Sequence, residues 1–369
     1  MSKKSTNIEL FRILLTLFIP SYHWFLYNGI YYAVDSTNNM VALSIFSGIP
    51  FTCMYAFIVM SSYFFVKKKF NWNPQKLFSF IALLLTLFVF KNILIHTLFW
   101  GEKMNYYVDT FFLKGAWWYV YPYLLTMLFY PLLNRFIYRV SMNLLYGSIG
   151  LLACIFMFNI VTNNTIFLND CIMFLFIYLI IGCIERRKEE NHFSPTLEKH
   201  KNSIGMITYL LAIILPTILS LQMKLPTCTL PLEQANEILQ KVHGRYTYAG
   251  LIGGIILFYF FKRIQIPYTP LIHQISKLTL FVFLLHESVM CIFWFFEIKS
   301  CEFLAYLPAA EFWGLLLIYM IFTILGAFLA YQVYYTFIAP LWEKAVTLLC
   351  NAKPVKRLEG YYQTLSEEN

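Results

Sequence analysis

Long apolar stretches are the feature that most restricts how this chain can fold. Each stretch contains roughly 17 to 25 mainly hydrophobic residues, which is enough for a helix to cross about 30 Å of hydrocarbon. Ten such stretches follow one another along the chain: 8–29, 44–66, 77–99, 117–138, 143–161, 168–184, 204–222, 247–262, 278–297 and 312–338. Only 13% of the residues are charged, whereas soluble domains carry about 25%. The sequence therefore predicts an all-α, polytopic membrane helix bundle of about ten transmembrane helices.

The positions of the basic residues predict how these helices are oriented. Lys and Arg tend to remain on the cytoplasmic side of a membrane. With the amino terminus inside, 20 of the 28 Lys and Arg residues fall on the cytoplasmic side. Both termini are therefore predicted to be cytoplasmic, and the net charge of +9 is explained without nucleic acid as a partner. The abundance of Lys, Asn, Ile and Phe is typical of a bacterial source, so we expect a multi-pass protein of the bacterial cytoplasmic membrane.

The segments between the spans are too short for a second folded domain. Residues 1–340 are expected to form one ten-helix membrane domain, and residues 341–369 a short cytoplasmic tail. The chain has no phosphate-binding Gly-x-x-x-x-Gly-Lys, no Gly-x-Ser-x-Gly nucleophile elbow and no His-Glu-x-x-His zinc helix,. Its eight cysteines form no pair with zinc-ligand spacing,. The sequence predicts no metal site and no permanently bound cofactor, and any chemistry must lie within the helices or at their ends.

The first span carries the most informative polar residues. Arg12 and His23 are eleven residues apart, which at about 100° per residue is three turns plus roughly 20°, with about 16 Å between them along the axis. They therefore share one face of the helix. Glu9 lies one turn before Arg12, where its carboxylate can pair with the guanidinium. This layout suits a polar cavity that crosses the membrane. The alternative is that Arg12 extends to the cytoplasmic surface and His23 sits at the outer interface beside Trp24.

Four short motifs, taken in order, resemble the integral-membrane acyltransferases of family 3, which O-acylate surface polysaccharides and other envelope molecules. The first is the Arg, ten residues and a His of the first span, within Glu-Leu-Phe-Arg-Ile. The segment Ser-Ser-Tyr-Phe-Phe at 61–65 is similar to the Ser-Gly-Tyr-Phe-Leu of the family. Trp118-Tyr119 and the segment ending at His286 are similar to its Trp-Tyr/Phe-Leu and Tyr-Leu-Ile-His motifs. The resemblance covers residues 7–338 and implies ten spans.

This resemblance implies a reaction and roles for several residues. The acyl donor is usually acetyl-CoA, a co-substrate that enters from the cytoplasm, and the acceptor is a hydroxyl group of a glycan. His23 is then the natural general base, because a free imidazole has a pKa of about 6.5. Arg12, paired with Glu9, would bind donor phosphate or polarise the acyl carbonyl. Three lysines after the second span would attract the nucleotide phosphates, unless they are ordinary positive-inside residues: Lys67, Lys68 and Lys69.

Two further pairs are candidates for contact with the substrate. His286 and Glu287 are adjacent ionisable residues in the ninth span, so that one of them is expected to face a cavity; a helix-to-helix hydrogen bond is the alternative. Trp118 and Tyr119 open the fourth span and could stack on a sugar ring, although an interfacial aromatic belt explains them equally well.

The leading prediction is an O-acyltransferase, most simply an O-acetyltransferase, that modifies exopolysaccharide or another cell-envelope glycan. Its expected partners are the lipid bilayer, the acyl-CoA donor and the glycan acceptor, and a homo-oligomer is compatible with the sequence. The alternative is a transporter or flippase that moves a lipid-linked sugar or acyl group through a polar cavity. Such transporters often have repeated halves with broken helices, and the sequence shows no repeat of that kind.

Overall fold

The computed structural model describes residues 5–27, 37–98, 118–162, 168–190, 248–295 and 309–367, together with five isolated helical positions between 203 and 218. Every regular element within these ranges is helical. In chain order they are α1 (Thr6–Tyr27), α2 (Thr37–Lys67), α3 (Pro74–Leu98), α4 (Val120–Arg139), α5 (Met142–Thr162), α6 (Leu168–Glu189), α7 (Tyr248–Arg263), α8 (Pro270–Ser276), α9 (Thr279–Phe295), α10 (Ala309–Val333), a π-helical turn (Tyr334–Ile338), α11 (Ala339–Asn351) and α12 (Lys353–Glu367).

The helices confirm the all-helical class that the apolar stretches predict. Apart from the seventh, 204–222, which lies almost wholly outside the described residues, each predicted span coincides with a helix. Two of the described helical segments, Pro74–Leu94 and Ala310–Asn351, are long and apolar enough to cross a membrane. Shorter apolar helical segments occur at Thr52–Lys67, Met142–Phe158 and Thr279–Met290.

Several helices expose large apolar side chains on their outer faces. Leu151, Phe158 and Leu329 are each 63% exposed, and Leu317 is 61% exposed. Burying apolar surface yields about 25 cal/mol per Å², so continuous faces of this kind are unfavourable in water. They are typical of helices that contact lipid.

The described chain divides into two compact units, and the first comprises residues 1–57 and 195–328. Within it, α1 packs against α7, α8 and α9. The amide of Asn7 donates to the carbonyls of Phe261 at 2.8 Å and Lys262 at 3.1 Å, and so caps the last turn of α7, where carbonyls lack their usual helical donors. Phe11 stacks on Phe261 with ring centroids 4.5 Å apart. These contacts fix the amino-terminal half of α1.

The second unit comprises residues 58–194 and 329–369. Its core includes the buried side chains of Phe65, Tyr130, Ile137 and Tyr178. The carboxy-terminal helices pack onto this unit, since α11 contacts α3 and α12 contacts α4. Most of the segment expected as a short cytoplasmic tail thus forms these two helices, Ala339–Asn351 and Lys353–Glu367, which pack on the second unit.

Candidate active site

Two histidines that are 263 residues apart in sequence meet in the first unit. His23 Nδ1 lies 2.5 Å from His286 Nε2, and the ring centroids are 4.8 Å apart with an angle of 26° between the planes. His286 is 1% exposed and His23 is 9% exposed. The packing of α1 against α9 therefore places two imidazoles in direct hydrogen-bonding contact.

The hydrogen bonds assign the ring protons of this pair. His286 Nδ1 lies 2.6 Å from the carbonyl oxygen of Phe283, and a carbonyl can only accept, so Nδ1 carries the hydrogen. In the neutral ring, Nε2 of His286 is then an acceptor, and His23 Nδ1 must donate to it. This assignment leaves Nε2 of His23 with its lone pair, which is the form that a general base requires.

A carboxylate completes the cluster. Glu287 Oε1 lies 3.7 Å from His23 Nδ1, and Glu287 is only 2% exposed. A buried carboxylate at this distance stabilises positive charge on the imidazole. Both His286 and Glu287 therefore lie close to the ring of His23, and the bond between His286 and His23 is a helix-to-helix hydrogen bond of the kind given as the alternative.

Helix α10 supports this cluster from a third side. The hydroxyl of Tyr319 donates to the backbone carbonyl of His286 at 3.0 Å. The ring of Tyr319 also stacks on Trp24, with centroids 4.7 Å apart. Because Trp24 follows His23 directly, one tyrosine links the backbone around both histidines.

Within the described residues, His23, His286 and Glu287 form the group whose donor atoms could hold a metal ion, and these atoms lie within 4.8 Å of one another. Two nitrogens bound to one zinc ion at about 2.0 to 2.1 Å in tetrahedral geometry would be roughly 3.3 Å apart. The observed separation of 2.5 Å is instead that of two nitrogens joined by a hydrogen bond. The arrangement favours acid–base chemistry.

The other polar residues of α1 lie where the helical spacing predicts. Arg12 Nη1 is 3.1 Å from Glu9 Oε2, and the side chain of Arg12 is 31% exposed whereas that of Glu9 is 6% exposed. The predicted ion pair is therefore present. The hydroxyl of Thr16 donates to the carbonyl of Arg12 at 2.8 Å. Arg12 and His23 belong to one continuous helix, Thr6–Tyr27.

The three consecutive lysines differ in their surroundings. Lys67 Nζ is 2.9 Å from Glu185 Oε2 and 3.1 Å from Glu189 Oε1. Partial burial disfavours its charge, but hydrogen bonds and attraction from the two carboxylates outweigh this effect and raise the pKa of Lys67 above its ordinary value,. Lys69 is 3.9 Å from Glu189. Lys67 is thus bound by two carboxylates, whereas Lys68 and Lys69 line a cavity of the second unit.

Trp118 and Tyr119 belong to the second unit, immediately before α4. The hydroxyl of Tyr119 and Oγ of Ser61 are 2.5 Å apart. The Tyr119 ring stacks on Tyr123 at 5.6 Å and meets Phe174 edge-on at 5.3 Å. Tyr119 therefore contributes to packing between helices, and its role in sugar binding stays a prediction.

The described helices combine apolar surfaces, typical of membrane proteins, with a buried cluster of two histidines and a carboxylate. This combination is that of a membrane protein with a candidate acid–base site. A family model described as an acyltransferase domain, that of family 3, matches residues 5–332 of the 369 residues. The chain therefore belongs to acyltransferase family 3, which confirms the resemblance of its motifs and indicates acyl transfer. No curated protein and no solved structure matches the chain. The family match ends within α10, so that α11 and α12 lie beyond it.

Proposed function

We propose that this protein is a membrane-embedded O-acyltransferase that transfers an acetyl group from acetyl-CoA to a hydroxyl of a cell-surface polysaccharide or another envelope glycan. The observation that carries the proposal is the contact of His23 with His286 and Glu287, at 2.5 Å and 3.7 Å. A buried imidazole that is held by a second imidazole and lies near a carboxylate is suited to take a proton from an alcohol.

The proposed reaction needs no covalent enzyme intermediate. Nε2 of His23 accepts the proton of the acceptor hydroxyl while the hydroxyl oxygen attacks the carbonyl carbon of the thioester. The carbon–sulfur bond then breaks, and the leaving thiolate of CoA takes the proton back from His23. The products are an O-ester and the free thiol of CoA. Glu287 stabilises the imidazolium that exists between the two proton transfers.

His286 and Arg12 have supporting roles in this proposal. His286 fixes the ring proton of His23 on Nδ1, so that Nε2 is directed to the acceptor. Arg12, held by Glu9, binds a donor phosphate or polarises the acyl carbonyl, because a guanidinium suits planar oxygen groups. Trp118 and Tyr119 would contact the sugar ring.

The donor would enter from the cytoplasm and the acceptor from the outer side. This arrangement rests on the prediction of ten spans in the bacterial cytoplasmic membrane, with both termini on the cytoplasmic side. Lys68 and Lys69 would then face the compartment that contains acyl-CoA. The distribution of positive charge supports this orientation.

Membrane vesicles with the cytoplasmic face outward provide the test. Vesicles that contain the protein are incubated with acetyl-CoA labelled in the acetyl group, and label in the envelope glycan is counted before and after treatment with hydroxylamine, which cleaves O-esters. We expect hydroxylamine-sensitive label only with the protein present. Translocation of a lipid-linked sugar without any label in the glycan would instead support the transporter.

A further inference from the structure

The carboxy-terminal helix α12 has one face that is packed and another that carries exposed positive charge. Tyr362 and Leu365, which are 1% and 2% exposed, belong to the apolar core of the second unit. Three cationic side chains are exposed on the same helix, and all lie within its first five residues: Lys353, Lys356 and Arg357. The packed face has its partner in the core, so the charged face is the surface at which a further molecule can bind.

The protein itself does not balance all the cations of this face. Lys356 Nζ is 2.8 Å from a carboxylate oxygen of Glu359. Among the residues that the structure describes, no carboxylate lies within ion-pairing distance of Lys353 or Arg357. The amino-terminal end of a helix also carries partial positive charge, so cations there are unfavourable. An anionic partner would remove this repulsion.

Specific bonds hold α12 beside the turn that joins α2 to α3. Trp72, in this turn, meets Tyr362 edge-on with ring centroids 5.3 Å apart. The indole of Trp72 donates to the carbonyl of Met127 at 3.0 Å, and the hydroxyl of Tyr362 donates to the carbonyl of Leu128 at 2.9 Å. The carbonyl of Met127 needs such a donor, because Pro131, four residues later in α4, has no N–H. The position of α12 on the second unit is therefore well defined.

The turn between α2 and α3 also locates α12 relative to the membrane. It connects two apolar helical segments, Thr52–Lys67 and Pro74–Leu94, and the second of these is long enough to span a bilayer. Irregular backbone between two such helices belongs at the bilayer surface, where water can satisfy its polar groups. A helix that packs on this turn lies at the same surface, so that lipid headgroups are its neighbours.

Helix α11, which directly precedes α12, adds an exposed apolar face. Leu341 and Leu348 are 77% and 73% exposed, and they lie on one side of α11 because seven residues are about two helical turns. Lys344 is exposed between them. Basic residues and exposed leucines just after an apolar span are the composition of segments that bind anionic membranes. A soluble anion would leave these leucines in water, whereas a lipid would cover them.

We infer that the exposed face of α11 and α12 binds anionic phospholipid, with Lys353 and Arg357 at the headgroup phosphates and Leu341 and Leu348 against the acyl chains. This binding goes beyond the proposed reaction and does not depend on it. Both helices begin after residue 332, where the match to the family ends, so the lipid site lies outside the region that the family shares. Bound lipid stabilises α12 on the core of the second unit, because it neutralises the cations at the start of the helix.

Binding of a short-chain lipid tests this assignment apart from acyl transfer. The probe is dioctanoyl phosphatidylglycerol, and its dissociation constant is measured by calorimetry on the full-length protein in micelles of an uncharged detergent, with protein-free micelles as the blank. The variant Lys353→Gln/Arg357→Gln removes the two cations. We expect its affinity to fall roughly thirtyfold, as for the loss of two cations at an anionic membrane surface. Dioctanoyl phosphatidylcholine, which has no net charge, should bind the wild type much more weakly.

Matched variants separate this face from the charge of the protein as a whole. Arg263→Gln/Lys277→Gln removes the same charge from exposed residues of the first unit and should keep wild-type affinity. Glu359→Gln releases Lys356 from its ion pair and should strengthen binding several-fold. In lipid-free micelles, Lys353→Gln/Arg357→Gln should unfold at the wild-type temperature or above it, because cations at the start of a helix are unfavourable. Weaker lipid binding by this variant is then not a result of unfolding.

Several results would overturn the lipid site. Equal losses of affinity in the two double variants would indicate a general effect of charge rather than a site on α12. Equal affinity for phosphatidylcholine would exclude recognition of headgroup charge, and equal affinity for glycerol 3-phosphate, which has no acyl chains, would indicate a soluble phosphate ligand. His23→Ala should bind phosphatidylglycerol as the wild type does, so its loss of acetyl transfer tests the proposed reaction alone.

Discussion

His23 Nδ1 and His286 Nε2 are 2.5 Å apart, and the other ring nitrogen of His286, Nδ1, donates to the carbonyl of Phe283. The carbonyl requires the proton of His286 to be on Nδ1, so Nε2 of His286 is an acceptor. Nε2 of His286 in turn requires the proton of His23 to be on Nδ1. The lone pair that remains is on Nε2 of His23. Each prediction about catalysis below follows from this order of donors and acceptors.

His286 is expected to act as a positioning residue. In His286→Ala, His23 loses the acceptor that selects its ring form, so kcat should fall about 10- to 100-fold while KM for acetyl-CoA changes little. His286→Gln should recover part of kcat, because a side-chain carbonyl can accept from His23 Nδ1. Steady-state kinetics on the purified protein measure both parameters. The control is Tyr319→Phe, which removes the bond to the His286 backbone but leaves the imidazoles; a loss of kcat equal to that of His286→Ala would argue for a purely structural effect.

Gly254 is expected to be required for the close approach of α7 to α2. A Cβ atom at Gly254 would lie 2.6 Å from Tyr55 Cβ and 2.8 Å from the backbone nitrogen of Ala56, and a backbone atom cannot move aside without shifting its helix. Gly254→Ala should therefore lower the thermal unfolding midpoint in detergent. Gly150→Ala is the matched control, because nothing lies within 4 Å of that position. It should be neutral or stabilising by about 0.5 to 1 kcal/mol, and similar midpoints for the two variants would contradict the packing described.

The buried amide of Asn134 is expected to stabilise the second unit. It donates to the carbonyls of Phe65 and Lys69 and accepts from the hydroxyl of Tyr178 at 2.8 Å. Asn134→Ala removes all three bonds and takes from the buried hydroxyl of Tyr178 the acceptor it has in Asn134, so the free energy of unfolding should fall by about 2 to 4 kcal/mol. Tyr178→Phe removes only the third bond and should lower it by about 1 to 2 kcal/mol. Equilibrium unfolding in mixed micelles gives both values, and a larger loss for Tyr178→Phe would contradict the ranking.

The helices could be predicted from the sequence because they depend on local composition. The runs that became α5 and α6 are continuous apolar segments, and each formed a separate helix near its predicted bounds. The pairing of Glu9 with Arg12 was likewise predictable, since one turn of helix determines it. What could be predicted in this way lies within single helices.

Contacts between distant helices could not be predicted. Nothing in the spacing of α1 indicates that His23 meets His286, because that contact depends on how α1 packs against α9. Lys67 and Lys69 look equivalent in the sequence, and only the positions of Glu185 and Glu189 on α6 distinguish them. The cavity lined by Lys68 and Lys69 also includes Gln363, which is nearly three hundred positions away in the sequence.

The central claim is that His23 is the base for acyl transfer, and the most direct measurement is acetyl transfer by His23→Ala. Wild type and variant are inserted in equal amounts into membranes, and hydroxylamine-sensitive label transferred from acetyl-CoA to the envelope glycan is counted over time. Removal of a general base should lower the rate by about 10² to 10⁴. A correctly inserted His23→Ala protein that transfers acetyl groups at the wild-type rate would contradict the account.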